Sequence, residues 1–255
     1  MITIENYHNF LSNIDWNICF STFIGALLAF ICSQIVQKGI EKRAKVLEEK
    51  KEREYRTWQL NYLNNFLYMH IIAFSEVFAN LQLRLDILSN LYKNTNILEN
   101  DFANVVNKIV DYKMDFNLNE ENLMFTCDDN KFIVGLGLTK TSLLNYYNAI
   151  EFLNNNLPIF PTNMTSLSEK IVEKIQNIIN FSLEGIALTI DTHYNMLQTV
   201  QIYNNKHDKL LLNEVPPFNK IQKEIIMKCN ELVSKSIKNR QNLLKNVIKP
   251  EEEIK

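Results

Sequence analysis

Glycine and proline are scarce in this chain, with five of each among 255 residues. Barrels and sandwiches need many tight turns, and nucleotide-binding folds need glycine-rich loops, so this scarcity counts against those classes. Helix interiors need neither residue. The composition therefore predicts an all-α fold.

The chain also lacks a strong charge of one sign, since its net charge is -2. Proteins that bind nucleic acid carry an excess of basic residues on their surface, so we expect no nucleic acid partner.

The four cysteines, Cys19, Cys32, Cys127 and Cys229, show no metal-ligand spacing. We accordingly expect no metal, no cofactor and no disulfide between Cys127 and Cys229.

Charged residues are absent from one long segment, Trp16 to Val36, which reads WNICFSTFIGALLAFICSQIV. About 20 apolar residues in a helix cross the hydrocarbon core of a bilayer. A cleaved signal peptide would begin with a basic region, yet residues 1–37 contain no Lys or Arg. The sequence therefore predicts a transmembrane helix over residues 16–36, after a short extracytoplasmic N-terminus over 1–15.

Basic residues follow this segment at once. Lys38, Lys42, Arg43 and Lys45 form a juxtamembrane basic cluster, whereas the other side has the acidic Glu5 and Asp15. The positive-inside rule then places the N-terminus outside and the rest of the chain in the cytosol. We expect a single-pass protein of the inner (cytoplasmic) membrane. The cluster could also attract anionic lipid headgroups, although topology alone explains it.

Small residues recur at every fourth position of the predicted span, at Ser21, Gly25, Ala29 and Ser33. Helices in lipid associate through small residues that admit close backbone approach. We therefore expect a homo-oligomer packed through this face. Two alternatives stay open: small residues are common in any membrane helix, or the face lines a pore, although it lacks the charges that mark ion pathways.

The remaining chain predicts a charged helical stalk over 37–56, a cytosolic helical domain over 57–250 and a charged tail over 251–255. Apolar spacing predicts helices over 58–92 and 98–114, and KFIVGLGL (131–138) predicts a break formed by a short strand or a buried loop. Three further helices are predicted. The first is capped by Thr139 or Thr141 and ends near Asn155, before Pro158 and Pro161. The second begins with a Ser166–Glu169 capping box and runs to Tyr203, and the third is capped by Asn219 and ended by Pro250. The last helix is marked by the apolar residues Ile221, Ile225, Cys229, Leu232, Leu243 and Val247. The expected arrangement is an antiparallel helical bundle.

Three short patterns resemble parts of catalytic sites. His207, Lys209 and Glu214 resemble the HxKxxxxD signature of the phospholipase D family, which implies a histidine nucleophile and a phosphate-stabilising lysine, with Glu in place of Asp. His193 with the His207–Asp208 pair resembles HD-type metal phosphohydrolases, but no later aspartate follows. Residues 135–141, GLGLTKT, resemble a phosphate-binding loop without the glycine before the lysine.

Each pattern also has a structural interpretation, which we prefer. The residues near His207 then form a polar helix end, His193 is partly buried and bonded within its helix, and GLGLTKT is a turn before a capped helix. Tyr146, Tyr147, Phe152 and Phe160 are predicted to pack in the core rather than to line a ligand pocket.

The sequence thus predicts a non-enzymatic, single-pass membrane protein whose cytosolic helical domain senses a ligand or docks a protein partner. In layout it resembles membrane-anchored effectors of bacterial defence systems, which implies a cytosolic module that gates assembly in, or damage to, the inner membrane. The alternatives are a passive membrane tether or scaffold and a membrane-bound phosphodiesterase.

Overall fold

The structure, a computed structural model, describes residues 16–93, 99–109, 129–157, 168–207, 212 and 215–247. Within these ranges every element is an α-helix, which confirms the predicted all-α class. The helices are α1 (Trp16–Lys93), α2 (Glu99–Val106), α3 (Asn130–Asn156), α4 (Glu169–His207) and α5 (Lys220–Val247).

The chain divides into two compact units, Met1–Tyr55 and Arg56–Lys255, and α1 contributes to both. In the first unit, every side chain whose exposure is described is exposed. Among the described helices, α1 is long and apolar enough to cross a membrane, with a window of mean hydropathy 1.7 of which none is buried. The predicted stalk, residues 37–56, is helical and belongs to the same helix as the predicted span.

Most of the core of the second unit comes from α1, α3 and α4, and α2 and α5 add Val105, Ile225, Ile226 and Cys229. The buried residues of α1, α3 and α4 recur in steps of about four and three, the spacing of helices that pack side by side. In α3 these are Phe132, Leu136, Thr139, Leu143, Tyr146, Ile150 and Leu153, and in α4 they are Ile175, Ile179, Ser182, Ile186, Thr189, His193, Met196, Val200 and Tyr203. The body part of α1 adds Leu60, Leu63, Leu67, Ile71, Phe74, Phe78, Leu81 and Leu88.

Small residues bring α3 and α4 close together. The Ser182 hydroxyl donates to the Ala149 carbonyl at 3.1 Å, and the Thr189 hydroxyl donates to the Ser142 carbonyl at 2.8 Å. A Cβ at Gly185 would lie 3.0 Å from the Cβ of Ala149. Rising residue numbers in α3 pair with falling numbers in α4, so these two helices are antiparallel. α4 also packs against α5.

The predicted strand or buried loop at 131–138 is wrong, because α3 already begins at Asn130. Asp129 is its N-cap and accepts from the Lys131 backbone N–H at 2.9 Å. Thr139 and Thr141 therefore do not cap a helix, and their hydroxyls donate one turn back to the carbonyls of Gly135 and Gly137. The glycine that suggested a break serves packing instead, since a Cβ at Gly135 would lie 2.7 Å from the Met196 sulfur.

The other helix ends agree in part with the sequence. Asn219 caps α5 as predicted: its side-chain oxygen accepts from the Gln222 N–H at 2.8 Å, and its own N–H donates to the Gln222 side chain at 2.9 Å. The predicted helix after Asn219 is present as α5, and its residue Ile221 is 66% exposed. Glu169 is the first residue of α4, not its third, so it does not occupy the predicted capping-box position.

The predicted helix over 98–114 is shorter where it is described, since α2 ends at Val106. The buried Arg84 of α1 closes that end, donating to the carbonyls of Val105 at 3.2 Å and Asn107 at 2.6 Å. Pro158, Pro161, Ser166, Pro250 and the tail over 251–255 lie outside the described residues.

Candidate functional site

The predicted association face, Ser21, Gly25, Ala29 and Ser33, lies on the first part of α1 and is exposed. The Ser21 hydroxyl donates to the Ile18 carbonyl at 3.0 Å, so it is partly satisfied within its own helix. A Cβ at Gly25 would meet nothing within 4 Å. The face is sterically open, and its role in association stays a prediction.

The juxtamembrane basic cluster, Lys38, Lys42, Arg43 and Lys45, also lies on α1 with all four side chains exposed. Near this cluster, side chains contact each other within the helix, from Gln37 to Glu41 at 3.2 Å and from Lys50 to Glu54 at 3.9 Å. Such contacts between exposed groups add little stability.

The patterns that resemble catalytic sites do not form sites among the described residues. His207 is the last residue of α4, and Lys209 and Glu214 lie outside the described part of the chain. No group of three or more His, Cys, Asp or Glu residues that could hold a metal occurs among the described residues. Residues 135–141 lie inside α3, where their backbone N–H groups are used by the helix, so the phosphate-loop interpretation is wrong.

Of the predicted core aromatics, Tyr146 is buried and its ring stacks on Phe74 with 4.0 Å between centroids. Tyr147 is partly buried against the same core. Phe152 is more exposed and contacts Phe181 on the outer side of α3 and α4, with 4.8 Å between ring centroids. Phe160 lies outside the described residues.

A hydrogen-bonded chain of buried side chains crosses the core of the second unit. His70 of α1 and His193 of α4 are 0% exposed, and His70 Nδ1 lies 3.3 Å from His193 Nε2. His193 Nδ1 lies 2.9 Å from the Thr189 carbonyl. The hydroxyl group of the same Thr189 donates to the Ser142 carbonyl of α3. It therefore joins three helices by polar contacts inside an apolar core.

These contacts define the proton positions on the two rings. A carbonyl only accepts, so His193 carries its proton on Nδ1 and leaves Nε2 as an acceptor. His70 must then donate from its own Nδ1. The other nitrogen, His70 Nε2, is buried and has no hydrogen-bond partner among the described residues.

Both histidines are held neutral. Burial lowers the pKa of His70 to about 4, from an ordinary value of 6.5. Burial, and to a lesser extent the nearby His70, lowers the pKa of His193 to about 3, against the opposing effect of the Thr189 carbonyl. A buried pair without access to a substrate suits a structural role better than acid–base catalysis.

Cys229 is likewise unsuited to chemistry. It is free and buried in α5, and burial together with the charge of Asp191 raises its pKa to about 12. A reactive cysteine needs the thiolate and an accessible position. Asp191 itself accepts from Asn195 at 3.2 Å, and burial raises the pKa of its carboxyl group.

A groove of about 440 Å³ is formed by α3, α4 and α5. Its apolar lining comes from Ala149, Phe181, Gly185, Leu188, Leu232, Val233 and Ile237, and its polar lining comes from Asn145, Asn148, Glu184, Ser236 and Arg240. We call it the α3–α4–α5 groove. Clefts of this size with few polar groups are typical of small-molecule sites.

This groove could not be predicted from the sequence, because its lining comes from three helices that are packed together only in the folded protein. Two features of the sequence could have indicated a binding surface. Gly185 is a small residue among the large apolar residues of α4. The segment from Lys235 to Val247 contains Lys235, Lys238, Arg240 and Lys245 and no acidic residue.

Comparison with known proteins adds no relative from which a function could be transferred. No protein-family model, no curated protein and no solved structure matches this chain.

Proposed function

We propose that this chain is a non-enzymatic, single-pass membrane protein with an extracytoplasmic N-terminus and a cytosolic helical bundle that senses a ligand or docks a protein partner. The observation that supports it most is the set of large apolar side chains left exposed along the first part of α1: Ile18, Phe20, Phe23, Ile24, Leu27, Leu28, Phe30, Ile31, Ile35 and Val36.

Exposure of so many apolar groups in water is unfavourable by about 25 cal/mol for each Å². A core helix of a soluble protein buries such a stripe, whereas none of the apolar window of α1 is buried. A bilayer removes the same surface from water without any protein partner, and the segment has the length that a bilayer requires. Lys38, Lys42, Arg43 and Lys45 then lie on the cytosolic side.

The body is proposed to act by binding rather than by catalysis. The buried histidines are neutral, and the buried Cys229 thiol has a raised pKa. A groove open to solvent gives the body a place to bind a ligand. Because α1 is one helix from Trp16 to Lys93, a rotation of its body part would be passed to the proposed span.

Reporter fusions at the C-terminus test the proposed topology. A green fluorescent protein, which becomes fluorescent in the cytosol, should be bright in the membrane fraction of a bacterial host. An alkaline phosphatase, which needs the periplasm, should be inactive. Active phosphatase with dark green fluorescent protein would reverse the proposed orientation.

A passive tether is the competing function, and truncation distinguishes the two. If residues 1–37 are deleted, a tethered scaffold should still bind its partner and lose only its location. A membrane effector should also lose any effect on membrane potential or growth.

A further inference from the structure

The α3–α4–α5 groove has the size and the lining of a site for one small ligand. Its volume of about 440 Å³ lies in the range of about 300–1,000 Å³ that small-molecule sites occupy. Phe181, Leu188 and Ile237 all line it and are all at least 39% exposed. The groove therefore offers apolar surface that a ligand could cover.

The charged side chains that line the groove indicate which polar group the ligand carries. Arg240 lines the groove on α5, and no hydrogen bond or ion pair involves it among the described residues. Arg240 is the basic residue of the groove lining, so the α5 side of the groove carries a positive charge. A guanidinium binds a carboxylate through two parallel hydrogen bonds.

The α4 side of the groove carries the opposite charge on Glu184, which also lacks an ion-pair partner among the described residues. A ligand with a second negative charge would meet this carboxylate, and like charges repel. Asn145 and Asn148 on α3 are neutral and can accept or donate. The lining therefore accommodates one anionic group beside Arg240 and an apolar remainder.

We propose that the α3–α4–α5 groove binds a small amphipathic monocarboxylate, whose carboxylate contacts Arg240 and whose apolar part lies on Phe181, Leu188 and Ile237. This rests on the sensing role proposed for the body and names the chemical class of its ligand. It is independent of the membrane span.

Three probes of equal length and different charge test the proposal: 4-phenylbutyrate, 4-phenylbutanol and 4-phenylbutylamine. Each is titrated into the full-length protein in lipid nanodiscs, with empty nanodiscs subtracted, and dissociation constants are measured by ligand-detected NMR. The carboxylate should bind about tenfold more tightly than the alcohol, since a charge-assisted bidentate contact exceeds a neutral one. Equal binding of carboxylate and alcohol, or tightest binding of the amine, would overturn the proposal.

Substitutions identify the groove as the site. Arg240→Gln should remove the preference for the carboxylate, whereas Lys238→Gln, an exposed cation of the same helix outside the groove lining, should keep most of it. Glu184→Gln should strengthen carboxylate binding. An unchanged preference in Arg240→Gln would contradict the proposal.

A steric variant provides an independent readout. Leu188→Trp should fill the groove and weaken all three probes, while Leu138→Trp, at an exposed position of α3 outside the groove, should not. Equal binding in Leu188→Trp and wild type would overturn the site. Absence of binding by every probe would also overturn the proposal and leave the groove to a protein partner.

Membrane extraction of the same preparation separates this inference from the proposed topology. A membrane-integral protein that binds no probe contradicts the ligand alone. A protein that binds the carboxylate but leaves the membrane on extraction contradicts the span alone.

Discussion

At the residue scale, two small side chains determine how closely α3 and α4 approach. Gly185 faces Ala149, and an added Cβ would lie 3.0 Å from the Ala149 Cβ, whereas an added Cβ at Gly137 would meet nothing within 4 Å. Overpacking a helix contact costs about 1–3 kcal/mol. We therefore expect Gly185→Val to lower the free energy of unfolding by about that amount.

Gly137→Val is the matched control, because it makes the same change in the neighbouring helix at an open position. It should leave the free energy of unfolding within about 0.5 kcal/mol of wild type. Urea unfolding followed by circular dichroism measures both. Equal effects of the two substitutions would show that the close contact between α3 and α4 is absent.

The buried histidine pair makes stability depend on pH. Both pKa values are lowered from 6.5 in the fold, to about 4 for His70 and about 3 for His193, so the unfolded chain binds more protons between about pH 6.5 and 4. Stability should be full above pH 6.5 and should fall as the pH drops through that window. Each histidine can contribute at most about 1.4 kcal/mol per pH unit.

The double variant His70→Gln/His193→Gln removes both titrations without adding charge. Its free energy of unfolding should be lower than that of wild type at pH 7.5 but should change less between pH 7.5 and 5. Unfolding curves at several pH values measure the two slopes. Identical slopes would contradict the assignment of neutral, buried histidines.

The sequence predicted part of this pair. His193 was expected to bond within its own helix, and its contact with the Thr189 carbonyl confirms this. His70 lies in the helix predicted over residues 58–92, but no role was predicted for it. The contact between them could not be predicted, because it depends on how α1 and α4 pack across 123 positions of sequence.

At the element scale, local signals predicted helix ends where a side chain closes the helix by itself. Asn219 and Gln222 satisfy each other's backbone N–H groups at the start of α5. The start of α3 was missed because two glycines and a β-branched run suggested a break, whereas contacts with α4 keep those residues helical. Tertiary packing thus overrode local propensity.

The cap of α5 gives a prediction for one element. Asn219→Ala should lower the free energy of unfolding by about 1 kcal/mol, the usual value of an N-cap side chain. Asn239→Ala is the control, because Asn239 is exposed within the same helix and Ala favours helices. Urea unfolding measures both variants. A loss in Asn239→Ala as large as that in Asn219→Ala would contradict the capping role.

The small face of the proposed span predicts self-association. Gly25→Leu adds a large side chain at the centre of Ser21, Gly25, Ala29 and Ser33, and it should reduce the oligomer to a monomer in detergent. Gly39→Leu, the same change in the same helix outside this face, should not. Light scattering of the purified protein measures the mass. A monomeric wild type, or an oligomer that survives Gly25→Leu, would contradict association through this face.

At the scale of the whole molecule, the sequence predicted the helical class because scarce glycine and proline constrain the chain globally. It did not predict the α3–α4–α5 groove, whose lining spans residues 145–240 and exists only after three helices pack. In the proposed function, the apolar first part of α1 anchors the protein in the bilayer and the second unit binds a ligand.

The most direct test of this account is alkaline carbonate extraction of cell membranes containing the full-length protein, beside Leu27→Asp/Leu28→Asp. Each Asp at the centre of a span opposes insertion by about 2.5–3.5 kcal/mol, and both positions lie outside the unit that contains the core. We expect wild type in the membrane pellet and the double variant in the soluble fraction with its helical content retained. Wild type released by carbonate, or a double variant that stays in the pellet as wild type does, would contradict the membrane anchor.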